Sequence, residues 1–297
     1  MKSMSLFLRA GRLASLCVLL AAGSSLAEEG QAVFQDKSRI ASVGGSITEI
    51  VYALGEQGNL IARDSTSTYP EDATKLPDVG YMRALSPEGV LSINPTGILL
   101  LEGSGPKEAI DVLKKASVPV ITVPDTYDHA GILEKIRVVG QALGVDQKAS
   151  ELSAQVDKDL AAAEQLTAQL PEKKRVLFIL SMQGGKILAS GSNSAANGII
   201  ELAGGVNAVE GFEGYKQLTD EAAIVANPDV ILMMDRGGDH SAANADLFAH
   251  PAIASTPAGQ AKRVVRIDGS YLLGFGPRTA GAIRDLATAL YGDQIKG

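Results

Sequence analysis

From Arg39 onward, short apolar runs alternate with longer stretches in which apolar and polar positions interleave. "RIASVGG" reads as a strand ending in glycines. "SITEIVYALG" carries helical spacing, opened by Ser46 and stopped by Gly55. "GILLLE" then reads as a buried strand, "PKEAIDVLKKASV" as a helix and "PVITVP" as another strand. This alternation predicts an α/β architecture with largely parallel strands.

The plan occurs twice. "SPEGVLSINPTGILLL" from Ser86 and "TDEAAIVANPDVILMM" from Thr219 align without gaps, placing Glu88 on Glu221, Asn94 on Asn227 and Pro95 on Pro228. Each copy reads as a hydroxyl cap, a first-turn acid, a short helix, an Asn-Pro break and a buried strand. A weaker echo links "GGSITEIVYALG" to "SNSAANGIIELAGG". Two matches in the same order predict two similar lobes. Between them, "VDQKASELSAQVDKDLAAAEQLTAQLPEKKR" is rich in helix formers and has no glycine or proline from Val145 until Pro171. A helix of about 25 residues there would be roughly 37 Å long, a stiff strut. Two lobes with mostly parallel central sheets, joined by one long rigid helix, leave a ligand cleft between them.

The N-terminus alters the picture of where the chain works. Lys2, Arg9 and Arg12 precede an apolar run from Leu13 to Ala22, and Ser25-Leu26-Ala27 closes it. That is the pattern of a secretory signal cleaved near Ala27, too short to span a bilayer comfortably. Cys17 follows Leu16, where a lipoprotein site wants a small residue, so no lipid anchor is expected. The expected division is therefore 1–27 signal peptide, 28–144 N-terminal lobe, 145–171 connecting helix and 172–297 C-terminal lobe. Cleavage removes the chain's one cysteine, and with it disulfides and any thiolate site. It also removes three basic residues and no acid, taking the net charge from −7 to −10. An acidic export product lacks the basic footprint that nucleic-acid binding needs.

One loop stands out chemically. "VGYMRALSPEG" has no helical period before Ser86, yet sets Tyr81 two residues from Arg83. Taken alone, such a pair is packing, a surface accident, or a site in which the cation tunes the phenol.

Export signal, twin α/β lobes and a single connecting helix resemble the periplasmic binding proteins that serve iron-chelate and vitamin B12 ABC importers. Within that family, "GYMRALSPEGVLSI", "LASGSNSAANGIIELAGG" and "LLGFGPRTAGAIRDLA" resemble the haem-binding branch. The resemblance spans Arg39 to about Ala289. It implies that Tyr81 of Gly80-Tyr81-Met82-Arg83 ligates the iron of Fe(III) haem and that Arg83 hydrogen-bonds the same phenolic oxygen. The chemistry agrees: a phenol ordinarily keeps its proton at neutral pH, whereas ferric iron and a guanidinium both favour phenolate. Tyrosine is an established axial haem ligand. The resemblance further implies that Glu88 and Glu221, one per lobe, dock on an inner-membrane permease driven by a cytoplasmic ATPase.

The second lobe is less determinate. Some relatives place an iron-binding histidine in the loop after its first strand. Here that stretch reads "LSMQGGK", with only Met182 and Gln183 on offer. A five-coordinate Tyr81 site is therefore expected. Glycines and Pro277 before a helix starting near Thr279 put Arg278 either at a haem propionate or in a structural turn. Tyr271, Arg236 and Tyr69 are candidate cleft residues, Tyr69 as wall or core packing. His129 reads as a cap-region residue, His240 as an outside candidate for a distal iron contact, and His250 lies in "FAHPAI". No histidine pair has zinc-ligand spacing.

The expected function is a soluble, monomeric periplasmic protein that captures ferric haem and delivers it to an ABC importer. A ferric-siderophore or corrinoid receptor on the same scaffold is the alternative. Enzymatic activity is not expected, because no Gly-x-Ser-x-Gly elbow occurs and no cysteine survives processing.

Overall fold

The computed structural model describes residues 33–235, 237 and 241–295. The signal segment with Cys17, Arg236 and His240 lie outside the described residues. The first lobe runs β1 (Ile40–Val43), α1 (Gly45–Ala53), β2 (Leu60–Arg63), α2 (Pro87–Ser92), β3 (Gly97–Leu101), α3 (Lys107–Lys115), β4 (Val120–Val123) and α4 (His129–Ala142). Its sheet has the order β2-β1-β3-β4 and is parallel throughout. Helix α5 (Asp146–Gln165) follows.

The second lobe comprises β5 (Arg175–Gln183), β6 (Lys186–Ser190), α6 (Ala195–Leu202), β7 (Val206–Asn207), β8 (Tyr215–Leu218), α7 (Asp220–Ala226) and β9 (Val230–Asp235). It ends with α8 (Ser241–Ala249), α9 (Pro251–Ala254), α10 (Pro257–Gln260), β10 (Val264–Asp268), α11 (Gly269–Leu273) and α12 (Thr279–Tyr291). Its sheet has the order β10-β9-β5-β6-β8, with β7 paired to the start of β5. Strands β7, β5, β9 and β10 are parallel and reproduce the order of β2, β1, β3 and β4. Strands β6 and β8 are an antiparallel addition that the first lobe lacks.

The duplicated plan holds at atomic detail. Ser86 Oγ accepts from the Gly89 amide and Thr219 Oγ1 from the Ala222 amide, each at 3.2 Å. Asn94 (φ 49°) and Asn227 (φ 44°) both take the left-handed conformation that ends the short helices, a region asparagine tolerates better than most residues. An arginine clamps each break: Arg39 Nε donates to Asn94 O at 2.8 Å, and Arg175 Nε donates to Ala226 O at 3.1 Å.

Three local expectations are corrected. Ser46 does not cap α1. Gly44 (φ 124°) occupies the cap, and the Gly44 and Gly45 amides donate to Asp64 Oδ1 and Thr66 Oγ1, each at 3.0 Å. The stretch "LSMQGGK" is a β-hairpin and not a loop, because Gly184 and Gly185 both adopt positive φ and turn β5 directly into β6. Helix α5 is shorter than the expected 145–171. It stops at Gln165, where Thr167 is buried against Gly204 and the chain tightens into turns, a tertiary stop with no glycine or proline to announce it.

One apolar core runs through both lobes, from Ile40, Ile98 and Ile136 to Phe178, Ile199 and Ile283, with Val156 and Leu160 of α5 joined to it. A second cluster covers the other face of the second sheet. Along β5, Val176 and Phe178 face the shared core while Leu177 and Ile179 face the second cluster. That two-sided burial explains why "VLFIL" reads as a continuous apolar run.

Candidate functional site

Tyr81 and Arg83 are presented by a turn. Gly80 (φ 98°) reverses the chain, its amide donating to Asp78 Oδ1 at 2.8 Å, and Asp78 is itself paired with Arg63 at 3.0 Å. Met82 is buried, and its carbonyl accepts from the Gly105 amide at 2.9 Å. Anchoring the middle residue leaves both neighbours outward. Tyr81 is 46% exposed, high for so large a ring, and Arg83 is exposed too.

Both line a cleft of about 660 Å³ between the lobes. Its first-lobe wall also includes Ser46, Leu101, Asp125 and Tyr127, and the second lobe contributes Leu180, Gln183, Tyr215, Met234 and Leu273. The volume falls within the usual range for a small-molecule site, and the lining mixes apolar side chains such as Leu101, Leu180, Met234 and Leu273 with many hydroxyl and charged groups. A second hollow, of about 570 Å³, lies beside the end of α5. There His129 is already engaged by Asp157 at 2.9 Å and Glu164 at 2.8 Å.

The inner end of the cleft holds a charge network that sequence reading did not find. Lys135 of α4 is wholly buried, with Nζ 2.5 Å from Asp125 Oδ1 and 3.2 Å from Phe275 O. Burial pulls its pKa down, against the opposing pull of Asp125. Burial, followed by the charge of the same carboxylate, pushes the Tyr127 pKa up to about 12. Tyr127 also meets Phe275 edge-on, ring centroids 5.4 Å apart. Contact between the lobes is close here: a Cβ on Gly198 would lie 2.2 Å from Tyr127 O, so glycine is required.

Arg278 belongs to a second inter-lobe contact. Its Nε donates to Glu49 Oε2 at 2.8 Å and its backbone amide to Glu49 Oε1 at 2.9 Å. Glu49 is buried, and desolvation raises its pKa although Arg278 opposes the shift. The guanidinium lies 3.6 Å from the Tyr69 ring centroid and 5.3 Å from that of Tyr271. Tyr271 donates its hydroxyl to Asp285 at 3.0 Å. Tyr69, Tyr271 and Arg278 therefore form one stack beside the cleft and do not line it. Met182 packs against the second core cluster, outside the lining, whereas Gln183 is part of it. Tyr215 and Asp125 were missed. The one sequence signal for Asp125 is its place just after a strand that ends at the cleft.

Glu88 and Glu221 are both exposed at the first turns of α2 and α7. Hydrogen bonds from its own amide and from Ser86 hold the Glu88 carboxyl below its ordinary pKa, so it stays ionised.

Known proteins share this fold. The periplasmic haem-binding protein RhuT from Roseiflexus sp. RS-1, in apo form, superposes with a TM-score of 0.81 at 39% identity, over 88% of this chain and 100% of that one. The periplasmic haem-binding protein BhuT, in complex with two haems, gives 0.80 at 40% identity, over 87% and 99%. Among sequence relatives, an uncharacterised ABC transporter substrate-binding lipoprotein of Bacillus subtilis (strain 168), YvrC, is 28% identical over 265 residues, covering 88% of this chain and 82% of the relative. A vitamin B12-binding protein of Yersinia pestis (strain Pestoides F) is 24% identical over 209 residues, covering 67% and 70%. Residues 40–271 match the periplasmic binding protein family throughout both sheets. With its duplicated α/β lobes, shared core and inter-lobe cleft, the chain belongs to that family of substrate-binding proteins.

Proposed function

We propose that this protein captures ferric haem in the periplasm through the Tyr81 phenolate and delivers it to an inner-membrane ABC permease. The observation that carries the reading is the outward presentation of Tyr81 and Arg83 on either side of the buried Met82, on the wall of the inter-lobe cleft. A phenolate oxygen is a hard donor suited to Fe(III), and a guanidinium two residues away stabilises its charge. Leu101, Leu180 and Leu273 offer apolar contact to a flat macrocycle. The likeness to haem-binding proteins at 39% and 40% identity supports the same ligand class. Glu88 and Glu221 supply one exposed carboxyl group per lobe for the permease. The role is binding and hand-over without turnover.

Titration of the purified protein with hemin, followed by its absorption spectrum, tests this. Wild type should give a ferric spectrum with a phenolate-to-iron charge-transfer band. Tyr81→Ala should lose the band and at least tenfold in affinity, about 1.4 kcal/mol. Arg83→Ala should weaken binding while keeping the band. Equal affinity and identical spectra for all three proteins would refute the site. The vitamin B12-binding relative motivates a corrinoid arm: cyanocobalamin binding that survives Tyr81→Ala, with no hemin binding, would favour that cargo.

A further inference from the structure

The second lobe brings a phenol to the same cleft. Tyr215 opens β8, in the antiparallel addition to the second sheet, and lines the cleft together with Tyr81 and Arg83. Its ring meets the fully buried Phe178 edge-on, centroids 6.3 Å apart and planes at 62°. Its strand pairs with β6 through Ser190. Backbone and ring are thus both held, and the hydroxyl is aimed by packing.

The hydrogen-bonding capacity around it is unevenly committed. Lys135 is paired to Asp125. Arg83, among the described residues, enters no side-chain hydrogen bond or ion pair. Burial raises the Tyr215 pKa, opposed by the Ala196 amide, Arg83 and Ser194. The cleft therefore brings a first-lobe guanidinium and a second-lobe phenol to the same space as Tyr81.

Building on the assignment of Tyr81 as iron ligand, we propose that Tyr215 is the second lobe's hydrogen-bond donor to the Tyr81 oxygen in the loaded protein. It complements Arg83 there. A charge-assisted bond of this kind is stronger than a neutral one and exists only when the ligand is bound. It ties iron coordination on one lobe to contact with the other.

Tyr215→Phe tests this directly, because it keeps the ring on Phe178 and removes only the hydroxyl. Hemin affinity should fall roughly tenfold, the scale of one hydrogen bond to a charged group. The charge-transfer band should move to longer wavelength, since a phenolate that loses a donor gives up its electron more readily. Unchanged far-UV circular dichroism would exclude misfolding as the cause. Wild-type affinity and band position in Tyr215→Phe, with Tyr81→Ala defective, would overturn this proposal and leave the Tyr81 assignment standing. A tenfold loss with an unmoved band would also overturn it, placing the hydroxyl on another part of the ligand. Full hemin binding by Tyr81→Ala would remove both readings together.

Discussion

Removing the Arg278 side chain should expose how much of the stability rests on one inter-lobe contact. In Arg278→Ala, the buried Glu49 carboxylate keeps the backbone amide bond at 2.9 Å but loses its cation and the Nε bond at 2.8 Å. Breaking a buried pair from one side costs about 3–5 kcal/mol. The surviving amide bond and the quarter exposure of Arg278 argue for the lower end, about 3 kcal/mol. For a chain of this size that corresponds to a melting temperature lower by about 6–9 °C. The pH dependence carries a sign. The Glu49 pKa is already raised in the fold, and loss of Arg278 raises it further, so the folded variant binds a proton more readily than the unfolded chain. Its stability is fullest below the ordinary carboxyl pKa and is lost as pH rises through the folded value. The deficit against wild type should therefore be larger at about pH 8 than at about pH 5. Melting followed by far-UV circular dichroism measures this, since the chain has no tryptophan. A variant that melts with wild type at the higher pH, or whose deficit widens on acidification, would refute the reasoning.

Two further outcomes are expected. Asp125→Asn leaves the wholly buried Lys135 ammonium without its anion and should cost about 3–5 kcal/mol, whereas Lys135→Met leaves Asp125 beside the cleft and its Tyr127 partner and should cost less than about 2 kcal/mol. Urea unfolding ranks the two, and the reverse order would contradict the account of the network. Glu88→Lys and Glu221→Lys change exposed first-turn acids, so each should alter stability by less than about 1 kcal/mol and leave hemin affinity alone. Haem uptake by cells carrying the importer should nevertheless fall, most in the double variant, and normal uptake there would argue against docking through these residues.

What the sequence reveals depends on how local each determinant is. The duplicated segments were legible because cap, break and strand lie within sixteen consecutive positions of each copy, beginning at Ser86 and Thr219. Tyr81 and Arg83 stood out because no helical period claims them. Lys135 was hidden by its setting: a lysine between Ile132 and Ile136 on an amphipathic helix looks solvated until the second lobe covers it. The Glu49–Arg278 pair joins positions far apart in the chain, and no local pattern shows which acid meets which base. Two adjacent glycines in "MQGGK" carry a hairpin signal, whereas the family resemblance implies a loop after that strand.

The antiparallel addition to the second sheet has a consequence for how such a molecule can change. Strands β6 and β8 are what the duplication does not account for, and Tyr215 and Gln183 reach the cleft from them and from the hairpin end of β5. The exposed acids instead sit on α2 and α7, inside the repeated segments. The second lobe's contribution to the cleft thus comes partly from outside the repeated segments, whereas the exposed acids lie within them. Substitution along the hairpin and its neighbour can therefore reshape the second-lobe wall of the cleft without altering the caps, breaks and strands that the two lobes share.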